Sequence, residues 1–452
     1  MRTKFLSALA VLAITMLAAI SSASAHTDGF WEYDLLDNQI TITNYTGSEL
    51  TVNVPGEILG TPVTKITGEK MFPRSRYINF PGTIQSIGNV CAGLENIKTV
   101  FIGEGALYIE DDAFNGCKGL TEISLPQSIK KIGNRAFKSC IALTSVDLPN
   151  GLEFGWDESA FEGSGLTSID MTYLTNLKSG TMSMKNCKSL VFAKMLPTMK
   201  SMPEGMFSGC GNLKSISVPS GITMIPKDAF SGCLMLESIV LPTTLKSIEK
   251  GSFTNCDSLT EVIVPYGTEK INAAFVSCNK LESLYIPDTV HTLVHDFIEN
   301  SDKALVYCND GSATSALCKR WGVSYLTDSS VNSGITVIYN GKRISFQKYE
   351  QNPEIINDST LVPLRAIFEA MNAGVTWNGD TQTVTSTRGK TTISLTINKP
   401  VMIKNGEEIK LEVPAQLYNE RTMVPVRVIA EAFGADVVWD GNGRTVIITE
   451  DI

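Results

Sequence analysis

The chain has 452 residues, 43% of them apolar and 19% charged, with a net charge of -9 at pH 7. That length holds two or three domains, and the mix is that of a folded globular protein. The acidic balance excludes a basic nucleic-acid-binding face and adhesion to anionic lipid by bulk charge.

Residues 1–25 read as a secretory signal. Arg2 and Lys4 open it, Leu6 to Ile20 is apolar, and Ala23-Ser24-Ala25 supplies a small-x-small cleavage site before His26. The apolar run is shorter than the roughly 20 residues a membrane-spanning helix needs. The mature chain is therefore expected to be secreted or extracellular, without a transmembrane segment, or held at the cell wall by non-covalent contacts. Loss of Arg2 and Lys4 takes its charge from -9 to -11.

From His26 to about residue 66 the chain alternates polar and apolar residues, as in DNQITITNYTG and ELTVNVPGEILGTPVTKI. This segment is expected to cap a solenoid whose first apolar layer needs covering. Residues 67–304 then repeat a unit of about 23 residues. Its clearest copy is Leu120 to Ala142, LTEISLPQSIKKIGNRAFKSCIA. Cysteines stand at 91, 117, 140, 187, 210, 233, 256 and 278, with Ser164 in one vacant slot and Asn300 read in another. Three residues before most of them is an aromatic: Phe114, Phe137, Phe161, Phe207, Phe230, Phe253 and Phe275, with Met184 the exception. In each unit LTEISLP predicts a strand with Leu120, Ile123 and Leu125 pointing inward, ended by proline. Ile129 and Ile132 return along the opposite wall, and Ala136-Phe137 is expected to open a short helical turn. The units between Asn150 and Ser201 are irregular, with Trp156, Ser164, Met184 and Pro197 out of pattern.

The pattern L-T-x-I-x-L-P…I-x-x-I-G-x-x-A-F-x-x-C resembles the BspA-like leucine-rich repeats of bacterial surface proteins, from about Ile40 to Leu326. The resemblance implies an extracellular, non-catalytic repeat protein with adhesion or ligand binding as its role. Residues 305–327 break the repeat as strand, helix (Ser312 to Trp321), Gly322 and strand, which suits a C-terminal cap. Residues 328–334, DSSVNSG, read as a polar linker.

Residues 335–452 lack cysteine and carry an internal duplication: LVPLRAIFEAMNAGVTWNGDTQTV from Leu361 and MVPVRVIAEAFGADVVWDGNGRTV from Met423, offset by 62. Each half reads as an NG turn (Asn340-Gly341, Asn405-Gly406), strands, a helix with proline in its first turn, and a tryptophan strand. VPLRAIFEA and VPVRVIAEA resemble the copper amine oxidase N-terminal-like domain, a stalk module of bacterial surface proteins. The fold class is therefore α/β: a leucine-rich-repeat solenoid of parallel strands and short helical turns, then a small α+β domain with an internal duplication.

No catalytic residue, cofactor or metal is expected. The three histidines, His26, His291 and His295, include none in the oxidase-like domain, whereas a copper amine oxidase needs three as ligands. His291 and His295 form H-x-x-x-H, but Val290 and Leu293 fit inward repeat positions, which favours an extended stretch with solvent-facing rings. Cys117, Cys140, Cys187, Cys210, Cys233, Cys256 and Cys278 are read as a structural ladder of buried free thiols, against a rival reading as disulfides. A disulfide between Cys308 and Cys318 stays open. Arg365 with Glu369, and Arg427 with Glu431, are read as i,i+4 ion pairs worth about 0.3–0.5 kcal/mol.

The outward strand position before the last apolar residue is Ser124 and Asp147 early on, then Val240, Ile263 and Tyr285, with Tyr266 beside Pro265. Val240, Ile263, Tyr266 and Tyr285 are the candidate ligand contacts, since apolar side chains on adjacent rungs make an interaction patch. The competing reading is that the cap or the C-terminal domain folds over them. The sequence thus points to a surface binding protein for an extracellular protein or glycan. The alternative is a structural protein whose C-terminal module attaches, for instance to a cell-wall polymer, while the repeats act as a spacer.

Overall fold

The computed structural model describes residues 26–156, 159–178, 182–327, 335–344, 346, 351, 353–418, 421–441 and 444–450. The signal at 1–25 and the linker at 328–334 lie outside the described residues. The chain forms two compact units, one reaching Leu166 and including Leu174–Met184, the other comprising Thr167–Tyr173 and Lys185–Ile452. The boundary falls within the irregular repeats. Among the described residues no helix is long and apolar enough to cross a membrane.

The first unit opens with antiparallel pairing of His26–Asp28, Trp31–Leu36 and Gln39–Tyr45. Parallel pairing then starts earlier than the repeat pattern predicts: Gln39–Tyr45 lies beside Thr61–Ile66, and Thr51–Asn53 beside Tyr77–Phe80. The regular repeats each give one strand to each of two parallel sheets. In the clearest copy these are Glu122–Ser124, paired with Thr99–Ile102, and Lys131–Ile132, paired with Tyr108–Ile109. Leu120, Ile123, Leu125, Ile129 and Ile132 are buried, as their alternation predicts, while Thr121, Glu122 and Ser124 are exposed.

The expected helical turn is instead a run of tight turns. Ala136, Lys138 and Cys140 each donate their N–H to the carbonyl three residues back, and Arg135 and Ser139 have positive φ. A left-handed residue in each turn stops helix propagation. Phe137 drops into the core between Phe114 and Phe161, with ring centroids 5.4 and 5.3 Å apart. Trp156 is fully buried in the same unit and donates its Nε1–H to the Ser183 carbonyl at 3.3 Å. Its backbone forms an isolated parallel bridge to Ile132, and Met184 fills the aromatic slot, also fully buried.

The second unit repeats this construction, with Phe207, Phe230, Phe253 and Phe275 stacked at 5.7, 5.4 and 5.1 Å. The ladder cysteines are buried, and none forms a disulfide. Their sulfurs act as hydrogen-bond donors. In the first unit Cys117 and Cys140 donate to the carbonyls of Cys91 and Phe114 at 3.0 and 3.1 Å. In the second, Cys233, Cys256 and Cys278 donate to Phe207, Phe230 and Phe253 at 3.3, 3.2 and 3.1 Å. Burial pushes the Cys117, Cys233 and Cys278 thiols up to about 12, so they stay protonated and keep that proton. The slot read as Asn300 belongs to Ser301. Its hydroxyl donates to the Phe275 carbonyl at 2.7 Å and accepts the Cys278 N–H at 2.8 Å. One residue of slack between units of 22 and 23 residues produced that offset.

The cap follows the sequence reading. The Leu305–Cys308 strand extends the ladder, and helix Ala313–Trp321 starts at the Ser312 side chain and ends at left-handed Gly322. Cys308 and Cys318 are buried free thiols.

Among its described residues the C-terminal domain has three sheets and two helices, Leu364–Ala370 and Val426–Ala432. Pro363 and Pro425 sit one position earlier than expected, as the N-cap residues. The duplicated halves meet as an antiparallel pair in which Val362 faces Val424. Those are equivalent positions at the offset of 62, so the pairing is that of a local two-fold axis. Arg427 lies 3.7 Å from Glu431, both well exposed, which makes this a weak pair.

Candidate ligand-binding face

Within the second unit the strands Phe192–Lys194, Ser215–Ser217 and Ser238–Val240 stand side by side, as do Glu261–Ile263, Ser283–Tyr285 and Leu305–Cys308. Because the ladders are in register, equivalent positions form rows across the rungs. The first strand position gives Phe192 beside Ser215 beside Ser238, and Glu261 beside Ser283. The third gives Ser217 beside Val240, and Ile263 beside Tyr285 beside Tyr307.

The apolar part of the third row is not open to solvent, as a free ligand strip requires. Val240 is only 8% exposed and packs with Ile338 and Ile447 of the C-terminal domain, with Ile263 against the same cluster. Tyr285 is partly buried, and its ring lies 5.0 Å from the Arg343 guanidinium. Tyr266, at 36% exposure, remains at the surface. The arrangement seen is therefore the competing one, with the chain's own domain over the patch. Burial of these side chains against Ile338 and Ile447 offsets the cost of leaving apolar groups in water.

The domain seats itself by the hairpin that joins strands Thr336–Tyr339 and Lys342–Arg343. Asn340 and Gly341 have φ of 47 and 80°, the left-handed pair that a two-residue hairpin turn requires. A Cβ on Gly341 would lie 2.4 Å from the Ile239 carbonyl oxygen and 2.9 Å from its nitrogen. Two backbones thus touch with no room for a side chain. Beside this contact the Arg343 N–H donates to Glu261 Oε1 at 3.1 Å. Burial raises the Glu261 carboxyl above the usual carboxylate range, opposed by the Arg343 N–H bond and by the charges of Arg343 and Lys342. NG was legible as a turn; that its glycine touches a strand about 100 positions away in sequence was not, because no periodicity links them.

Next to the seat, the domain and the solenoid part. A cleft of about 330 Å³ opens there. Its floor includes Phe192, Lys194, Ser215 and Ser217, and its roof Asp436, Val438, Ile447 and Thr449. The roof residues are cross-strand partners, Asp436 with Thr449 and Val438 with Ile447, so all four project from one face. Glu450, also on the wall, is held by Arg388, 2.7 Å from Nη2, and by the Tyr339 hydroxyl at 2.6 Å. A second hollow, of about 700 Å³, lies on the other side of Asn340 and shares Phe192, Ser215 and Ser238. Phe192 was the one signal sequence reading could have used: an aromatic at an outward strand position.

His291 and His295 are exposed while Val290 and Leu293 are buried; the stretch is extended at Thr292–Leu293, and His295 opens the following turn. The His295 Nδ1 is 2.7 Å from Asp296, and its ring stands edge-on to Trp321 at 5.4 Å. His26 stacks near Tyr33 at 5.5 Å.

Residues 68–191 and 177–304 match the BspA type leucine rich repeat region, in six copies. Residues 338–448 match the copper amine oxidase N-terminal domain. Among solved structures, a leucine-rich repeat protein from Bacteroides ovatus is 20% identical, with a TM-score of 0.52, and the match covers 70% of this chain and 82% of that one. A leucine rich cell surface protein from Faecalibacterium prausnitzii is 23% identical with a TM-score of 0.39, over 65% and 97% of the two chains. The pneumococcal vaccine antigen PcpA is 18% identical with a TM-score of 0.43, over 68% and 99%. No curated protein sequence matches the chain.

Proposed function

Because the chain belongs to the BspA type leucine-rich-repeat proteins, we propose that it is an extracellular, non-catalytic recognition protein. Its strand face, completed by the C-terminal domain, takes a protein or glycan partner. The observation that carries this reading is the cleft of about 330 Å³ formed jointly by the solenoid strands and the docked domain. A strand face alone is nearly flat; ligand sites are concave. In this reading Val240, Ile263 and Tyr285 act as the seat that positions the roof, and Tyr266 lies at its margin.

The spacer reading draws support from a different place. Ile355, Trp377, Leu417 and Tyr418 are exposed apolar side chains on the C-terminal domain, of the kind an attachment surface uses.

The test is binding of the labelled mature chain to immobilised extracellular matrix proteins and cell-surface glycans, beside its retention by isolated cell walls. Saturable binding that Phe192→Ala or Val438→Asp reduces at least tenfold supports recognition through the strand face. Wall retention that those variants leave intact and Trp377→Ala removes, with no other binding, replaces it with the attachment reading.

A further inference from the structure

We propose that the cleft between the Phe192–Val240 strand face and the Ala435–Asp440/Thr445–Glu450 ladder binds an uncharged, linear glycan. This rests on the recognition reading and names its ligand class.

The row of outward residues changes character where the domain's cover ends. On the covered side it reads Val240, Ile263, Tyr285; on the open side it reads Ser217 and Lys194, with Ser215 and Phe192 in the neighbouring row. The apolar residues are spent on the docked domain. The uncharged polar groups left for a ligand are hydroxyls and an amide, among them Ser215, Ser217, Thr449 and Asn340, set among apolar side chains. The Asn340 amide oxygen already accepts the Glu450 N–H at 2.9 Å, while each hydroxyl both donates and accepts. That suits a ligand whose own polar groups are hydroxyls and fits poorly to one with fixed charge.

Charge gives the same answer. Lys194 on the floor and Asp436 on the roof oppose each other, and Glu450 is already paired with Arg388. No net field is left to select an anion or a cation. Phe192 contributes a partly exposed ring and Val438 an exposed aliphatic face, at 37% and 49%. Those surfaces can take the C–H faces of a sugar ring. Phe192 and Ser215 stand on successive rungs, roughly 4.8 Å apart. A ring and then a hydroxyl at that interval match a chain that advances by one sugar ring per rung. A protein partner would instead be expected to meet a buried cluster of aromatic and arginine anchors. Beside this cleft the Arg343–Tyr285 pair is already used in seating the domain.

The experiment titrates the full mature chain with three soluble neutral hexasaccharides: a β-linked glucan, a mannan and an N-acetylglucosamine oligomer. Calorimetry follows binding, and a phage-displayed random peptide library is selected in parallel. The expected result is saturable binding of at least one hexasaccharide, weakened at least tenfold by Phe192→Ala and changed less than twofold by added salt. Gly341→Val, which lifts the roof, abolishes it. No saturable binding of any of the three, or binding that Phe192→Ala leaves unchanged, overturns the proposal. Selected peptides whose binding Phe192→Ala removes also overturn it, by making the cleft a peptide site. If the sugars fail while the chain still binds matrix or cell surfaces, the ligand class is wrong and the recognition reading stands. If nothing binds at all, both fall.

Discussion

Two stretches of one strand face carry opposite chemistry. At Val240, Ile263 and Tyr285 the outward side chains are apolar or aromatic and lie under the C-terminal domain; at Phe192, Lys194, Ser215 and Ser217 they are mostly polar and line an open cleft. The backbone is the same at both, parallel rungs in register. What differs is what covers it. At Val240, Ile263 and Tyr285 the outward apolar residues report a neighbour, and the neighbour is the same chain.

Substitutions should break this contrast unequally. The largest effect is expected from Val240→Asp, which buries an unpaired carboxylate between Ile338 and Ile447. Uncompensated buried charge costs about 3–5 kcal/mol, so the domain should undock. Chemical denaturation should show it as two transitions replacing one. Gly341→Val comes next. Its left-handed φ alone is expected to cost more than about 1 kcal/mol, and the overlap with the Ile239 backbone adds to that. The matched change on the open stretch, Ser217→Asp, should alter stability by less than about 0.5 kcal/mol, as exposed sites usually do.

Further substitutions sharpen the account. Cys256→Val removes the donor to the Phe230 carbonyl, 3.2 Å away, and should cost about 1–3 kcal/mol. Cys256→Ser should cost less, since Ser301 already plays that part in its own unit. Thermal unfolding of the pair checks the order. Arg343→Ala deletes a cation–π contact worth about 0.5–1 kcal/mol but keeps the backbone N–H that Glu261 accepts.

The weakest effect is pH dependence. Docking raises the Glu261 carboxyl, chiefly through burial. The docked state therefore holds that proton more tightly than the undocked one. This contribution to docking is fully present below the ordinary carboxylate value and is lost as pH rises through the raised one. Docking should loosen modestly as pH rises above the ordinary carboxylate value of about 4.3, and Glu261→Gln should flatten the change. Proteolytic cleavage rates at an engineered site in 328–334 are the readout.

The repeat fold was legible because every core position recurs. Leu120, Ile123, Ile129 and Phe137 each have equivalents through the array, so one reading error cannot move the pattern. Where the unit length shifts by one residue, the reading slipped from Ser301 to Asn300. The helical turn was misjudged because Arg135 and Ser139 are left-handed, a conformation neither residue type advertises. The duplicated C-terminal domain was legible for the same reason as the repeats. Its seat was not. Val240, Ile263 and Tyr285 stood out as apolar, but nothing local in Gly341 or Arg343 says what they touch.

The claim that the C-terminal domain is seated on the solenoid can be tested most directly by hydrogen exchange of the full chain and its Gly341→Val variant. The account predicts that segments 236–264 and 336–344 are protected together and lose protection together in the variant, while 114–140 is unchanged. Unaltered protection of both segments in the variant, or protection of one without the other, would contradict it.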